Sequence, residues 1–127
     1  MQVYKTKGFA RFSRRQRIDD DALCEAISRA EQDLIDADLG GGVIKQRVPR
    51  PGQGRSGGFR TIVFYRMKAR AVFVDGFAKS NQDNIGDDDL ERFRKLAAEF
   101  MSYDAKRVGN LIKAGAWTEV ECDGNQT

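Results

Sequence analysis

The sequence of 127 residues contains no histidine, two prolines, two cysteines and one tryptophan. The lack of histidine excludes imidazole acid-base catalysis, which uses the side chain that titrates nearest neutral pH. Cys24 and Cys122 lie far apart and neither belongs to a CxxC pair, so we expect no zinc site and no disulfide framework, with Cys24 filling core space. Because no apolar run approaches the length of a membrane span and no signal-peptide pattern follows Met1, we expect a cytoplasmic protein. We also expect no cofactor.

The charges fall in blocks that the net charge of +3 conceals. Residues 1–17 hold six Lys/Arg and no acid, and residues 18–38 hold eight acids and one base. Residues 45–79 then hold nine bases and one acid, and residues 83–104 hold seven acids and three bases. Basic blocks that meet in the fold would form a cationic face for a polyanion. The alternative, that each block is only a solvated face, explains the charges equally well at this stage.

Composition and patterning predict one α+β domain. Hydrophobic residues make up 40% of the chain and charged residues 32%, which is typical of a globular protein. We predict a single domain over 1–120 and a flexible tail over 121–127. The predicted elements are a strand at 2–7, a helical segment at 9–16, a helix from 19 or 20 to the glycines at 40–42, strands at 43–48, 59–66 and 70–77, and helices from about 87 and at 104–114. This order predicts a small, mostly antiparallel sheet with the helices packed on one face.

The basic residues of the predicted strands share a face. Lys45 and Arg47 alternate with apolar residues, and Arg60 lies on the same side of its strand as Ile62. An isoleucine between arginines is unusual on a solvated face. Either the strand is buried on both faces at its centre, with the arginines at its ends reaching an edge, or the arginines line a groove. A purely structural alternative is that Arg60 pairs with a helix carboxylate such as Asp88. The cations expected around one concavity are Lys45, Arg47, Arg60, Arg66 and Lys79.

Between Arg50 and Arg66 the chain carries four arginines, four glycines and no acid. The segment lacks the GxxxxGK[ST] order of a phosphate-binding loop and does not open onto a helix, which argues against nucleoside triphosphate binding. A basic glycine-rich hairpin suits close approach to nucleic acid phosphates, although an ordinary surface loop has the same composition.

Three runs together resemble the RelE/ParE superfamily of type II toxins. They are LGGGVIKQRVPRPGQGRSGGFRTIVFYR, VFVDGFAKSNQDNI and a helix opening DDDLERFRKLA. Within the superfamily they are similar to the RelE-like branch with the patterns KxRxxRxGxGxSGGxR and GFxKxxxxNI, and the likeness extends from about residue 3 to residue 103. The resemblance implies an endoribonuclease that cuts messenger RNA, typically on the ribosome, and that a cognate antitoxin holds inactive.

The resemblance also implies the site residues. Catalytic roles fall on Arg60, Lys79 and Lys45, with either lysine as the general base, since a lysine crowded by like charges has a lowered pKa. A basic residue of the family also matches Arg47. From the basic character of the segment we expect RNA binding by Arg47, Arg50, Arg55 and Arg66, and we expect no metal. One departure concerns the residues after the last core strand, because Ser80 and Ile85 stand where RelE has a second basic residue and a tyrosine. Two other activities therefore stay open: a non-catalytic toxin of the ParE kind that binds DNA gyrase, and a decayed toxin that binds only its antitoxin and operator DNA.

Overall fold

The structure is a computed structural model that describes residues 1–50, 54–78 and 85–122, without the side chains of 50 and 54–57. The elements are β1 (Gln2–Thr6), α1 (Lys7–Arg15), α2 (Asp20–Glu31), β2 (Ala37–Gly40), β3 (Val43–Arg50), β4 (Gly54–Arg66), β5 (Arg70–Ala78), α3 (Asp87–Ser102), α4 (Ala105–Lys113) and β6 (Trp117–Val120). The strands form one six-stranded sheet in the order β2-β3-β4-β5-β1-β6. The β1–β5 pair is parallel and the other pairs are antiparallel, which confirms the predicted α+β class.

Helices cover both faces of the sheet, so the prediction of helices on one face is wrong. Val63 packs with residues of α1 and α2, whereas the adjacent Phe64 packs with residues of α3 and α4. Adjacent residues of a strand point to opposite faces, and β4 is apolar at both positions over its central residues. A strand that is apolar on both faces needs cover on both, and the second helical pair supplies it.

The second helix is shorter than its apolar spacing predicted. It ends at Glu31, and Asp33 takes a left-handed conformation with φ +68°. The Leu34 N–H donates to the carbonyl of Arg29 and the Asp33 N–H to that of Ala30, which is the bond pattern of a Schellman C-terminus. Leu34, which lies within the predicted helix, follows the end of the observed one and is 57% exposed.

A disulfide joins Cys24 to Cys122, which corrects our expectation for both cysteines. Their separation of 98 residues says nothing about distance in space, because β6 pairs with β1 and delivers Cys122 beside α2. Residues 121 and 122, assigned to a flexible tail, are thereby anchored, and residues 123–127 lie outside the described part of the chain. In the described residues no helix is long and apolar enough to cross a membrane.

Candidate functional site

Three cations occupy one face of the β3–β4 pair. Arg47 lies directly opposite Arg60, and Lys45 lies directly opposite Ile62. Directly opposed residues of antiparallel strands share a face with their Cα atoms roughly 4.5–5.5 Å apart. Two arginines in such a pair repel one another, so this part of the face favours an anion. The predicted common face of Lys45, Arg47 and Arg60 agrees with the register.

The same face is apolar and covered further along β4. Ile62 and Phe64 are fully buried, and the Phe64 ring lies 5.3 Å from that of Phe100 and 6.1 Å from that of Phe93, both on α3. Arg60 lies two residues before Ile62 and is only half-buried. The cover provided by α3 explains why the apolar Ile62 lies between cations. The end of this face that carries Arg60 is more open.

Arg60 has a guanidinium nitrogen without a partner. Its Nη1 is buried and makes no hydrogen bond, and none of the ion pairs among the described residues includes Arg60. The alternative that Asp88 neutralises Arg60 is therefore wrong. A buried charged donor without an acceptor costs on the order of 1–3 kcal/mol or more, and an incoming phosphate oxygen would relieve that cost.

Arg47 is held at the sheet edge by two residues from outside β3. Asp36 accepts a hydrogen bond from the Arg47 backbone N–H at 2.7 Å and contacts its guanidinium at 3.3 Å. The buried Arg29 donates to the Arg47 carbonyl at 2.5 Å and pairs with Asp36 at 3.4 Å. Asp36 and Arg29 thus satisfy the Arg47 backbone where β2 no longer pairs with β3.

Electrostatics and a buried glutamine secure the same edge. Burial alone would raise the pKa of Asp36, but the Arg47 N–H and the charges of Arg47 and Arg29 outweigh it and lower the pKa. The Gln46 side chain donates to the Ala26 carbonyl at 2.9 Å and accepts from the Asp36 N–H at 2.7 Å. Arg29 and Gln46 therefore hold the basic segment of β3 against α2. Asp36 is the more exposed member of the Arg29–Asp36 pair.

The remaining predicted site residues do not all join this cluster. Arg66 lies six residues from Arg60 on β4, which is roughly 20 Å along an extended strand, and it is exposed beside the β4–β5 turn. Lys45 is half-buried on the cationic face. Lys79 and the side chains of Arg50 and Arg55 lie outside the described residues, so their assigned roles stay predictions.

Neither Tyr65 nor Tyr103 lies at the cationic end of this face. Tyr65 points to the opposite face of the sheet, where burial raises the pKa of its hydroxyl. Tyr103 donates to Glu99 at 2.6 Å, and this hydrogen bond raises its pKa. Its ring lies 5.9 Å from that of Trp117 on β6, at the sheet edge far from β3. The tyrosine missing from the sequence pattern is not supplied by these two residues.

Sequence reasoning overlooked Asp75, the single acid within residues 45–79. Asp75 on β5 lies directly opposite Ile62, on the face that carries Arg60 and Lys45. Burial raises the pKa of its carboxyl, the Gly76 N–H at 2.9 Å opposes that rise, and the negative charge of Asp89 on α3 adds to it. The sequence feature that could have identified Asp75 is its position as the single acid in a basic block.

Gly58 permits the close approach of β3 and β4 beside the paired arginines. A Cβ atom at Gly58 would lie 2.2 Å from the Val48 carbonyl oxygen and 2.9 Å from the Pro49 Cα. Both obstacles are backbone atoms, so no rotamer change relieves the contact. We expect Gly58→Ala to lower the free energy of unfolding by about 1–3 kcal/mol, measured by urea denaturation.

The matched control for Gly58 is Gly8→Ala. A Cβ at Gly8, within α1, meets nothing within 4 Å, so the substitution should stabilise the protein by about 0.5–1 kcal/mol. Equal effects of the two substitutions would contradict a steric role for Gly58.

Comparison with known protein families identifies a match over most of the chain. A family model described as the RelE toxin of the RelE / RelB toxin-antitoxin system matches residues 1–120. No curated protein matches the chain. In the described part of the chain, no group of three or more Asp, Glu or Cys side chains is arranged to hold a metal ion.

Proposed function

The chain belongs to the RelE toxin family of the RelE/RelB toxin-antitoxin system, and from this premise we propose that it is an endoribonuclease that cuts messenger RNA, on the ribosome. The observation that carries the proposal is the unpartnered, buried guanidinium nitrogen of Arg60 directly opposite Arg47. Two adjacent guanidinium groups, one lacking an acceptor, form a site for a phosphate in which bidentate hydrogen bonds are available.

The reaction uses the RNA's own 2′-hydroxyl and requires no metal ion or other cofactor. This hydroxyl attacks the adjacent phosphorus, and the protein aligns the two groups and stabilises the charge that develops on the phosphate oxygens. Arg60 supplies that stabilisation, and Arg47 and Lys45 hold the strand of RNA. Lys79, which follows β5 directly in the sequence, is expected to contribute a further cation. Because DNA lacks the 2′-hydroxyl, it should not be cut.

Family membership also indicates a cognate antitoxin as partner. We expect the complex to form in the cytoplasm, where mRNA and ribosomes are found. An acidic segment of the antitoxin that covers Arg47 and Arg60 would compete with RNA for the same cations.

The test is expression in bacteria of the wild type, Arg60→Ala and Arg66→Ala, with new RNA 5′ ends mapped in each culture. Arg66 is the matched control because it is the same residue type on the same strand, roughly 20 Å from Arg60. We expect growth arrest and new 5′ ends with the wild type and with Arg66→Ala. Arg60→Ala should cut mRNA about 10²–10³-fold more slowly, as expected when one donor to a developing negative charge is lost.

Other results would support the alternatives. Growth arrest without new 5′ ends would indicate a toxin of the ParE kind, which a supercoiling assay with DNA gyrase would check. Soluble wild-type protein that causes neither arrest nor cleavage would indicate a decayed toxin. Equal cleavage by Arg60→Ala and the wild type would contradict the assignment of Arg60.

A further inference from the structure

A carboxylate lies beside the cation that would bind the scissile phosphate. Asp75 is directly opposite Ile62, and Arg60 is two residues from Ile62 along β4, so Asp75 and Arg60 are diagonal neighbours on one face. Cα atoms in such positions are roughly 7–8 Å apart, within reach of both side chains toward one ligand. Lys45, opposite Ile62 from the other side, completes the group.

Asp75 is available to a ligand. The residue is solvent-exposed although protein surrounds part of its carboxyl group, and among the described residues its carboxylate accepts a hydrogen bond from the adjacent Gly76 N–H. No ion pair among the described residues includes it, although three cations share its face. The carboxylate thus has lone pairs free to accept a proton from a hydroxyl group positioned by Arg60.

We infer that Asp75 is a catalytic residue, the general base that removes the proton from the attacking 2′-hydroxyl; this inference rests on the proposed ribonuclease function. The hydroxyl proton passes to the Asp75 carboxylate as the O2′–P bond forms and the P–O5′ bond breaks. The departing 5′-oxygen takes a proton from solvent water, which leaves a 2′,3′-cyclic phosphate and a 5′-hydroxyl. Asp75 then returns its proton to solvent.

Neighbouring groups shift the pKa of the Asp75 carboxyl in opposite directions. Asp89 at the start of α3 raises the pKa of the Asp75 carboxyl, as does burial, while the Gly76 N–H lowers it. Arg60 and Lys45 face it from β4 and β3, and Arg92 pairs with Asp89 on α3. A carboxylate whose pKa is raised is a stronger base than an ordinary aspartate.

The experiment measures single-turnover cleavage of a defined mRNA on programmed ribosomes between pH 6 and 8.5. We expect Asp75→Asn to cut about 10²–10⁴-fold more slowly at pH 7.5. Binding to the same mRNA carrying a 2′-O-methyl group at the cleavage site should be unchanged, whereas Arg60→Ala should weaken it. An RNA with sulfur in place of the bridging 5′-oxygen has a leaving group that needs no proton. This RNA rescues a variant that lacks a general acid but not one that lacks a general base. The slow cleavage by Asp75→Asn should therefore persist with it.

A second variant, Asp89→Asn, tests the effect of the Asp89 charge on the pKa of Asp75. It removes the like charge, so the pKa of Asp75 falls and any decline in rate toward low pH should move further down in pH. Asp75→Asn that cuts at the wild-type rate would overturn the inference and indicate Lys79 as the base. A wild type that cuts no mRNA would instead overturn the proposed function, so the two failures are distinguishable.

Discussion

Replacement of Arg29 by methionine should lower the free energy of unfolding by about 3–5 kcal/mol. The Arg29 side chain is 9% exposed and bonds Glu25, Asp36 and the Arg47 carbonyl. Methionine preserves the apolar stem but leaves Asp36 and that carbonyl without their buried donor, and removal of one partner from a buried ion pair carries a cost of this size. Urea denaturation at pH 7 measures the change.

The pH dependence of the Arg29→Met variant gives a second readout. Because the pKa of Asp36 is lowered in the folded protein, its ionisation stabilises the fold above the ordinary aspartate pKa, and this contribution is lost as pH falls through the lowered value. Loss of the Arg29 charge raises that pKa, so acid unfolding should begin at a higher pH in the variant.

Arg92→Met is the control for Arg29→Met. Like Arg29, Arg92 pairs with an acidic residue of its own helix, in this case Asp89, but the Arg92 side chain is 73% exposed. The substitution should change the free energy of unfolding by no more than about 0.5 kcal/mol. Equal destabilisation by the two substitutions would contradict a special role for the Arg29 clamp.

Reduction of the Cys24–Cys122 disulfide should cost about 4–5 kcal/mol of stability. The bond closes a loop of 98 residues, and in the chain-entropy account a crosslink across about 100 residues removes close to this amount of disorder from the unfolded chain. Thermal unfolding of the wild type with and without a thiol reductant measures the difference. Reducing compartments such as the cytoplasm keep cysteine thiols reduced, and oxidising ones maintain disulfides. The fraction of the protein that carries the Cys24–Cys122 bond therefore depends on the redox conditions.

A double variant, Cys24→Ser with Cys122→Ser, separates the crosslink from other effects of the reductant. It should resemble the reduced wild type and show no response to reductant. Equal unfolding temperatures for oxidised and reduced wild type, with the disulfide verified by alkylation and mass spectrometry, would contradict the prediction.

Local patterns in the sequence predicted the residues of the sheet face correctly. Period-two alternation placed Lys45 and Arg47 on one face of their strand and Arg60 with Ile62 on one face of the next, and the strand register makes these the same face. The same reasoning placed Arg66 in the site, since alternation specifies the face and not the distance along it. Family membership could likewise be predicted from the three sequence runs that carry the resemblance, and the α+β class from the order of the predicted elements.

Features that depend on tertiary contacts were missed. The four-residue strands β2 and β6 have too few positions for a periodic pattern, and they exist through pairing with β3 and β1. The end of α2 depends on the left-handed Asp33, and Cys122 meets Cys24 only through the sheet order. Asp75 joins the cations only once β5 is aligned with β4.

The central position of β1 has a consequence for biosynthesis. β1 precedes the other five strands of the sheet in the sequence, yet its neighbours β5 and β6 span residues 70–78 and 117–120. The β3–β4–β5 meander has local connections and can form early, whereas β1 pairs on both sides only after β6 has been made. The nascent chain therefore carries its cationic strands before the enclosing sheet is complete, and β1 lacks its second partner strand until residue 120 has left the ribosome.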